Sequence, residues 1–278
     1  MEAESLTTIA VDGARIVYRR VGKGPPLVVL NGFGATSADW DPAFLDRLAS
    51  SNELILLNNR GIGGSTDDGQ SFAIAKLATD AAHVIESLGI ERANVMGWSM
   101  GGFIALALAL NHPDRVGKLV LLSTHSGGIE ADRASPEVWS KLLDTSGTPN
   151  EQARRLFFLL FPNEIAESFY RRFGDTVAAA RAQLPAELLN RQAAAMDAWH
   201  RNGVANQLRE IRVPVLIATG TEDIVIPASN ALKLVNAIPG AWLARFPDSG
   251  HAFIAQYPRE LADLINSFLA LSTARAAQ

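Results

Sequence analysis

The chain has 278 residues, of which 48% are hydrophobic and 19% are charged, and its net charge is -4. This length and apolar share predict a folded domain with a large core, and a mildly acidic chain without a basic patch is not typical of a nucleic-acid-binding protein. No cysteine is present, which excludes disulfides, thiolate nucleophiles and cysteine metal sites.

The first third of the chain alternates strand and helix signals. A hairpin is predicted at the start because Asp12-Gly13 is a favoured turn dipeptide between two strand-like runs. Short apolar runs that follow are typical of buried strands, and longer runs with an apolar face predict helices. The predicted strands are 6–11, 14–20, 27–30 and 54–57, and the predicted helices are 37–50 and 73–88.

The segment Gly97-Trp98-Ser99-Met100-Gly101 has the form G-x-S-x-G. An apolar run at 93–96 predicts a buried strand before it, and good helix formers at 102–110 follow it. A strand, a sharp turn and a helix are the setting in which this motif is a nucleophile elbow, which presents the serine at the edge of a sheet. Ser99 is therefore the candidate nucleophile.

A serine nucleophile needs a base, and the base needs an acid that orients it. Asp223 follows a predicted strand at 213–220, and His251 follows another at 241–246. Ligand sites in open α/β sheets lie past the C-terminal ends of such strands. We therefore expect Ser99, His251 and Asp223 to act as nucleophile, base and acid.

Four motifs occur along the chain in a familiar order. They are Asn31-Gly32-Phe33-Gly34, the loop from Asn59 to Ser65, the run from Gly97 to Gly102, and Asp248-Ser249-Gly250-His251 after Gly220-x-x-Asp223. With them the chain resembles the α/β-hydrolase superfamily along nearly its whole length. Within it, the chain resembles small bacterial esterases and the cofactor-free non-haem haloperoxidase or perhydrolase-like group.

The resemblance implies a mostly parallel, doubly wound sheet and an oxyanion hole. The hole would use the backbone N–H groups of Phe33 and Met100. Two positions depart from the family pattern, because Asn31 and Asn58 stand where a histidine and an aspartate are usual. Both positions are normally supporting ones, so we expect a change in loop hydrogen bonding rather than loss of the triad.

The alternation of strands and helices is interrupted once, after a predicted strand at 119–122. The pattern is helical from 126 to 208, and strands and helices then alternate again, ending with a helix near 254–271. We expect a hydrolase core over 1–125 and 209–278 with an inserted helical cap over 126–208.

Four side chains are candidates for the substrate pocket. Phe157 and Phe158 lie in an apolar run of the cap, Trp98 lies in the elbow, and His125 follows a predicted strand. Plain core packing is the alternative for the aromatic residues, and structural polar packing is the alternative for His125. His200, in the cap, is expected to be solvated.

We interpret the sequence as that of a serine hydrolase that cleaves a small or medium carboxylic ester or lactone through an acyl-enzyme. Perhydrolysis, carbon–carbon bond hydrolysis and a low-turnover receptor on the same scaffold are the alternatives. No cofactor and no metal are expected, because the histidines lack metal-ligand spacing. We also expect a cytoplasmic protein with a small-molecule partner, no secretory signal and no membrane span; the oligomeric state is left open.

Overall fold

The computed structural model describes residues 6–69 and 72–272, and these contain one eight-stranded sheet. The strands are β1 (Thr7–Val11), β2 (Ala14–Val21), β3 (Pro26–Leu30), β4 (Glu53–Leu57), β5 (Ala93–Trp98), β6 (Val116–Leu122), β7 (Val215–Gly220) and β8 (Trp242–Phe246). Their spatial order is β1-β2-β4-β3-β5-β6-β7-β8. β2 is antiparallel to β1 and β4, and the other neighbours are parallel.

Helices cover both faces of the sheet. They are α1 (Pro42–Ala49), α2 (Ile74–Ser87), α3 (Met100–Asn111), α4 (Pro136–Leu143), α5 (Pro149–Leu160), α6 (Asn163–Arg181), α7 (Ala186–Asn202), α8 (Ser229–Ala237), α9 (Phe253–Gln256) and α10 (Pro258–Ala270). Successive strand residues point to opposite faces. Val28 and Val95 accordingly pack in one cluster with α2, α3 and α8, whereas Val29 and Met96 pack in another with α1 and α10. The predicted mostly parallel, doubly wound sheet is confirmed.

Local signals set most element boundaries, and two of the predicted helices differ from those in the structure. The first helix begins at Pro42 rather than at 37, because the Asp41 side chain caps it by accepting the Phe44 N–H at 3.0 Å. The last predicted helix is split in two at Tyr257, which has φ -127° and ψ 50°. Pro258 follows, and the residue before a proline is disfavoured in the helical region.

Four helices, α4 to α7, lie between β6 and β7, and we call residues 136–202 the helical insertion. No strand interrupts it. A cluster of aromatic and apolar side chains from α5 and α6 forms its own small core, which also contacts Ala252 and Ala255 beside the candidate base. Among the described residues, none of the helices has the length and apolar character needed to cross a bilayer.

Candidate active site

Ser99 lies between β5 and α3 in a strained backbone conformation, with φ 58° and ψ -121°. Such a conformation costs a non-glycine residue about 1–3 kcal/mol, so the surrounding structure must hold it. The Ser99 N–H donates to the Leu122 carbonyl at 2.9 Å. The Ser99 carbonyl accepts from the Gly102 N–H at 2.9 Å and from the Thr124 hydroxyl at 3.0 Å. These contacts fix the elbow to the neighbouring strand β6.

The two glycines of the motif are required by close backbone approach. A Cβ at Gly97 would lie 2.1 Å from the Gly101 carbonyl oxygen, and a Cβ at Gly101 would lie 2.1 Å from the Leu30 carbonyl oxygen. Neither backbone can give way without moving the sheet. The turn therefore needs glycine on both sides of Ser99, which explains why the sequence motif predicted its position.

Asp223 and His251 meet at the same edge of the sheet as Ser99. Oδ1 of Asp223 accepts the backbone N–H groups of Val225 and Ile226, at 3.0 and 2.8 Å. Oδ2 lies 2.8 Å from Nδ1 of His251, and both side chains are buried. Because the carboxylate is an acceptor, Nδ1 of a neutral imidazole carries the proton, and Nε2 is left with a free lone pair.

Trp98 places the imidazole beside the elbow. Its indole N–H donates to the His251 carbonyl at 3.0 Å, and the two rings are 5.3 Å apart. Trp98 precedes Ser99 directly in the chain, so this contact couples the position of the base to that of the nucleophile. Trp98 also lines a small cavity of about 60 Å³ together with Trp40 and Ala252.

The loop after β3 lies against Ser99. A Cβ at Gly32 would be 3.3 Å from the Ser99 Cβ, so the residue directly before Phe33 lies against Ser99. Met100, the first residue of α3, is fully buried. The first N–H groups of a helix have no acceptor within it. The two N–H groups expected to form an oxyanion hole therefore belong to backbone segments that both lie at Ser99.

Asn31 and Asn58 hold the loops around this edge. The Asn31 amide donates to the Leu57 carbonyl at 2.6 Å and accepts from the Trp40 indole at 2.7 Å. Asn58 accepts the Ser37 N–H at 2.7 Å and donates to the Gly63 carbonyl at 2.8 Å. Each asparagine uses a donor and an acceptor at once, which a carboxylate cannot do.

His125 and His200 form a buried pair, so the prediction that His200 is solvated was wrong. Their Nε2 atoms are 3.1 Å apart, and Nδ1 of His125 accepts the Gly127 N–H at 2.9 Å. Burial, and secondarily His200, lowers the pKa of His125 to about 3. Burial, and secondarily Arg133, lowers the pKa of His200 to about 4. Both rings are therefore neutral near pH 7, and they join β6 to α7.

The two pocket candidates of the insertion have different surroundings. Phe157 is buried and stacks on Phe161 with ring centroids 5.6 Å apart. Phe158 is only partly buried, and the Arg154 guanidinium lies 5.1 Å from its ring centre. The backbone at the end of α5 contacts the base loop directly, since the Ala252 N–H donates to the Leu160 carbonyl at 2.9 Å.

Two polar residues of the insertion, Arg181 and Gln192, were not singled out from the sequence, and a third, His200, was expected to be solvated. All three are buried. Gln192 and His200 lie on the same face of α7 as Leu188, Ala195 and Met196. Polar residues that recur at helical spacing within an apolar stripe are a readable signal, because such a stripe is the buried face of a helix.

The fold and the arrangement at its edge define a class of protein, the hydrolases built on a mostly parallel α/β sheet. The family model for the alpha/beta hydrolase fold matches residues 25–257. The chain therefore belongs to the α/β-hydrolase fold family, and by family it is a hydrolase.

Named relatives are similar along nearly their whole length. "Putative carbamate hydrolase RutD" of Azorhizobium caulinodans is 31% identical over 260 residues, which are 92% of this chain and 95% of the relative. "Putative non-heme bromoperoxidase BpoC" of Mycobacterium tuberculosis is 27% identical, over 92% of this chain and 97% of the relative. Among solved structures, a hydrolase from Pseudomonas aeruginosa superposes with a TM-score of 0.83 at 27% identity, covering 97% of this chain and 100% of that one.

Proposed function

We propose that this protein is a serine hydrolase that cleaves small or medium carboxylic esters or lactones. The observation that carries the proposal is the joint position of three groups. Ser99 lies on a strained elbow, His251 is held beside that elbow by Trp98, and Asp223 bonds Nδ1 of His251 at 2.8 Å. A nucleophile, a base and an orienting acid in this order are the parts that acyl transfer requires.

The chemistry proceeds in two halves. Nε2 of His251 takes the Ser99 proton as Oγ attacks the carbonyl carbon. The oxyanion that forms accepts hydrogen bonds from the backbone N–H groups of Phe33 and Met100. His251 then protonates the leaving alcohol, which departs and leaves the acyl-enzyme. Water, deprotonated by His251, attacks the acyl carbon. The bond from that carbon to Oγ of Ser99 then breaks, His251 returns its proton to Oγ, and the carboxylic acid is released. Asp223 stabilises the imidazolium in both halves.

We propose further that the helical insertion is a cap that selects the acyl group. Two features support this. The end of α5 bonds to the base loop through Leu160 and Ala252, and the apolar cluster of α5 and α6 contacts that loop. An apolar acyl chain bound at Ser99 would then lie against this cluster.

Perhydrolysis is a second candidate, and the similarity to the Mycobacterium relative favours testing it. Hydrogen peroxide would replace water on the same acyl-enzyme and give a peracid. The Azorhizobium relative adds carbamates as a further substrate class, since a carbamate carbonyl is open to the same attack by Ser99.

The test is a series of p-nitrophenyl esters with acyl chains from C2 to C8, run with and without hydrogen peroxide. Multiple turnovers with an optimum chain length support the esterase. Peracid formation in excess of hydrolysis would favour the second candidate. Tight binding with a single slow turnover would overturn both and indicate a receptor. Phenyl carbamates, assayed beside the esters, test whether carbamates are also substrates.

A further inference from the structure

A second polar site lies next to the Phe33 loop, where Arg181 and Gln192 converge on Gly34. Oε1 of Gln192 accepts the Gly34 N–H at 2.9 Å. A Cβ at Gly34 would lie 3.0 Å from Nη1 of Arg181. Arg181 is the last residue of α6 and Gln192 lies in α7, so two helices of the insertion bring their polar groups to one point of the loop.

Gln192 and Arg181 both have N–H donors that the described hydrogen bonds do not use. Gln192 is 0% exposed and its Nε2 has no partner in the part of the chain that the structure describes. Its amide orientation is fixed, because only the oxygen can accept the Gly34 N–H. A buried amide donor without an acceptor destabilises the fold, so an acceptor supplied by a ligand would be favourable there.

Arg181 is a buried cation with no carboxylate partner among the described residues. It is 8% exposed, and its one described hydrogen bond runs from Nε to the neutral Gln152 Oε1 at 3.4 Å. Burial, and secondarily the positive charge of Arg155, lowers the pKa of the guanidinium, while Asp39 opposes that shift. The group stays charged, because arginine does not lose its proton in proteins.

The neighbouring charges make other contacts. Arg155 pairs with Asp144, and Oδ2 of the exposed Asp39 carboxylate accepts hydrogen bonds from the backbone N–H and the hydroxyl of Thr36. No ion pair between Asp39 and Arg181 occurs among the described residues. Breaking or omitting one partner of a buried ion pair is strongly destabilising, so an unpaired buried arginine points to an anion that arrives from outside the chain.

The position of this site relates it to the reaction. Gly32 touches Ser99, and Gly34 touches Arg181 and Gln192. Two residues of chain span at most about 7 Å. Ser99 and the Arg181–Gln192 pair therefore lie against the same short segment of the Phe33 loop, two residues apart along the chain.

We propose that Arg181 and Gln192 bind a carboxylate of the substrate, so that the preferred substrates are esters or lactones whose acyl part ends in a carboxylate. The proposal rests on the proposed function and narrows its substrate class. The guanidinium fork donates hydrogen bonds to both carboxylate oxygens, and the Gln192 Nε2–H₂ donates a further one.

The test compares p-nitrophenyl hydrogen glutarate with p-nitrophenyl valerate, which differ only in a terminal carboxylate or methyl group. Hydrogen succinate and hydrogen adipate esters cover other spacings. We expect the intact enzyme to favour an acidic ester. Arg181→Gln should lower the acidic-to-neutral ratio of kcat/KM about 10- to 100-fold, mainly through KM, as expected for a charged hydrogen bond.

Three variants separate recognition from structure. Arg171→Gln removes the same charge from an exposed position of α6 and should leave the ratio unchanged. Arg181→Lys should recover part of the preference. Gln192→Glu keeps the acceptor for Gly34 but places a carboxylate beside Arg181, and should abolish the preference. A melt of each variant reports any loss of folding separately.

Glutarate binding to Ser99→Ala, followed by calorimetry, needs no turnover and should disappear in Ser99→Ala/Arg181→Gln. An equal effect of Arg181→Gln on both esters, or glutarate binding that survives it, would overturn the carboxylate site. An enzyme that cleaves none of the esters yet binds glutarate through Arg181 would contradict the proposed function and leave the anion site standing.

Discussion

On the sheet side of the candidate site, the proposed catalytic groups are held by short hydrogen bonds, most of them to backbone atoms. Asp223 uses both carboxylate oxygens, and Ser99 is bonded to β6 and α3. On the helical side, the buried Gln192 amide donor and the Arg181 guanidinium have no acceptor carboxylate within residues 6–69 and 72–272. On our proposals, this difference separates a rigid set of reacting groups from a wall whose unpaired donors bind the substrate.

Removing the nucleophile should give the largest effect. Ser99→Ala should lower kcat for the best ester about 10⁶-fold, as loss of a triad member does in other hydrolases. The melting temperature should change little, because alanine fits where the serine stood. The matched control is Ser123→Ala, which removes a buried hydroxyl that lies at the end of the next strand and has no described partner. Comparable losses of kcat in Ser99→Ala and Ser123→Ala would contradict a special role for Ser99.

Asp223→Asn should give the next largest effect. The asparagine Oδ1 can still accept the Val225 and Ile226 N–H groups, so the fold should hold. Its amide nitrogen would face Nδ1 of His251 and favour the tautomer in which Nε2 carries the proton, which cannot act as a base. A loss of about 10⁴ in kcat is expected. The control is Glu222→Gln, an exposed neighbour; a loss in that variant alone would reassign the acid.

Substitution of Phe157 and Phe158 distinguishes packing from substrate contact on the helical side. Phe157→Ala should lower the free energy of unfolding by about 3–5 kcal/mol, because a buried ring is removed from a packed cluster. Phe158→Ala should cost less, since the ring is partly exposed. If Phe158 contacts the acyl chain, its loss should shift the preferred ester length gradually, because one methylene is worth about 1–3 kcal/mol. Thermal melts and kcat/KM from C2 to C8 measure both effects.

The buried histidine pair gives a smaller, pH-dependent effect. In the unfolded chain both imidazoles have pKa values near 6.5, whereas the folded values are about 3 and about 4. The unfolded state therefore binds more protons than the folded state below pH 6.5. The free energy of unfolding accordingly decreases as the pH is lowered from 6.5 toward 4. Each histidine contributes a slope of at most about 1.4 kcal/mol per pH unit.

Denaturant unfolding at pH 7, 6 and 5 measures this slope. His200→Gln keeps an acceptor for His125 but removes one titrating group, so its slope should be shallower than that of the parent. Parallel curves for the two proteins would show that His200 is not buried neutral. Between pH 7 and pH 8 neither protein should change through this pair.

The sequence predicted the sheet side far better than the helical side, for a physical reason. The position of Ser99 follows from glycines that only a tight strand-to-helix turn requires, and Asp223 and His251 follow strands whose ends meet at one edge. Such signals are local. Arg181 and Gln192 come together only through the packing of α6 and α7 on the Gly34 loop, which no local pattern specifies. Even so, Gln192 and His200 interrupt the apolar stripe of α7, and that signal was available.

Covalent labelling with a fluorophosphonate probe tests the central claim most directly, because such probes react with serines activated by a neighbouring base. Intact mass followed by peptide mapping should show one adduct, on Ser99. The adduct should be absent from Ser99→Ala, strongly slowed in Asp223→Asn and unaffected in Arg181→Gln. Labelling at another serine, or a single adduct that persists in Ser99→Ala, would contradict the account.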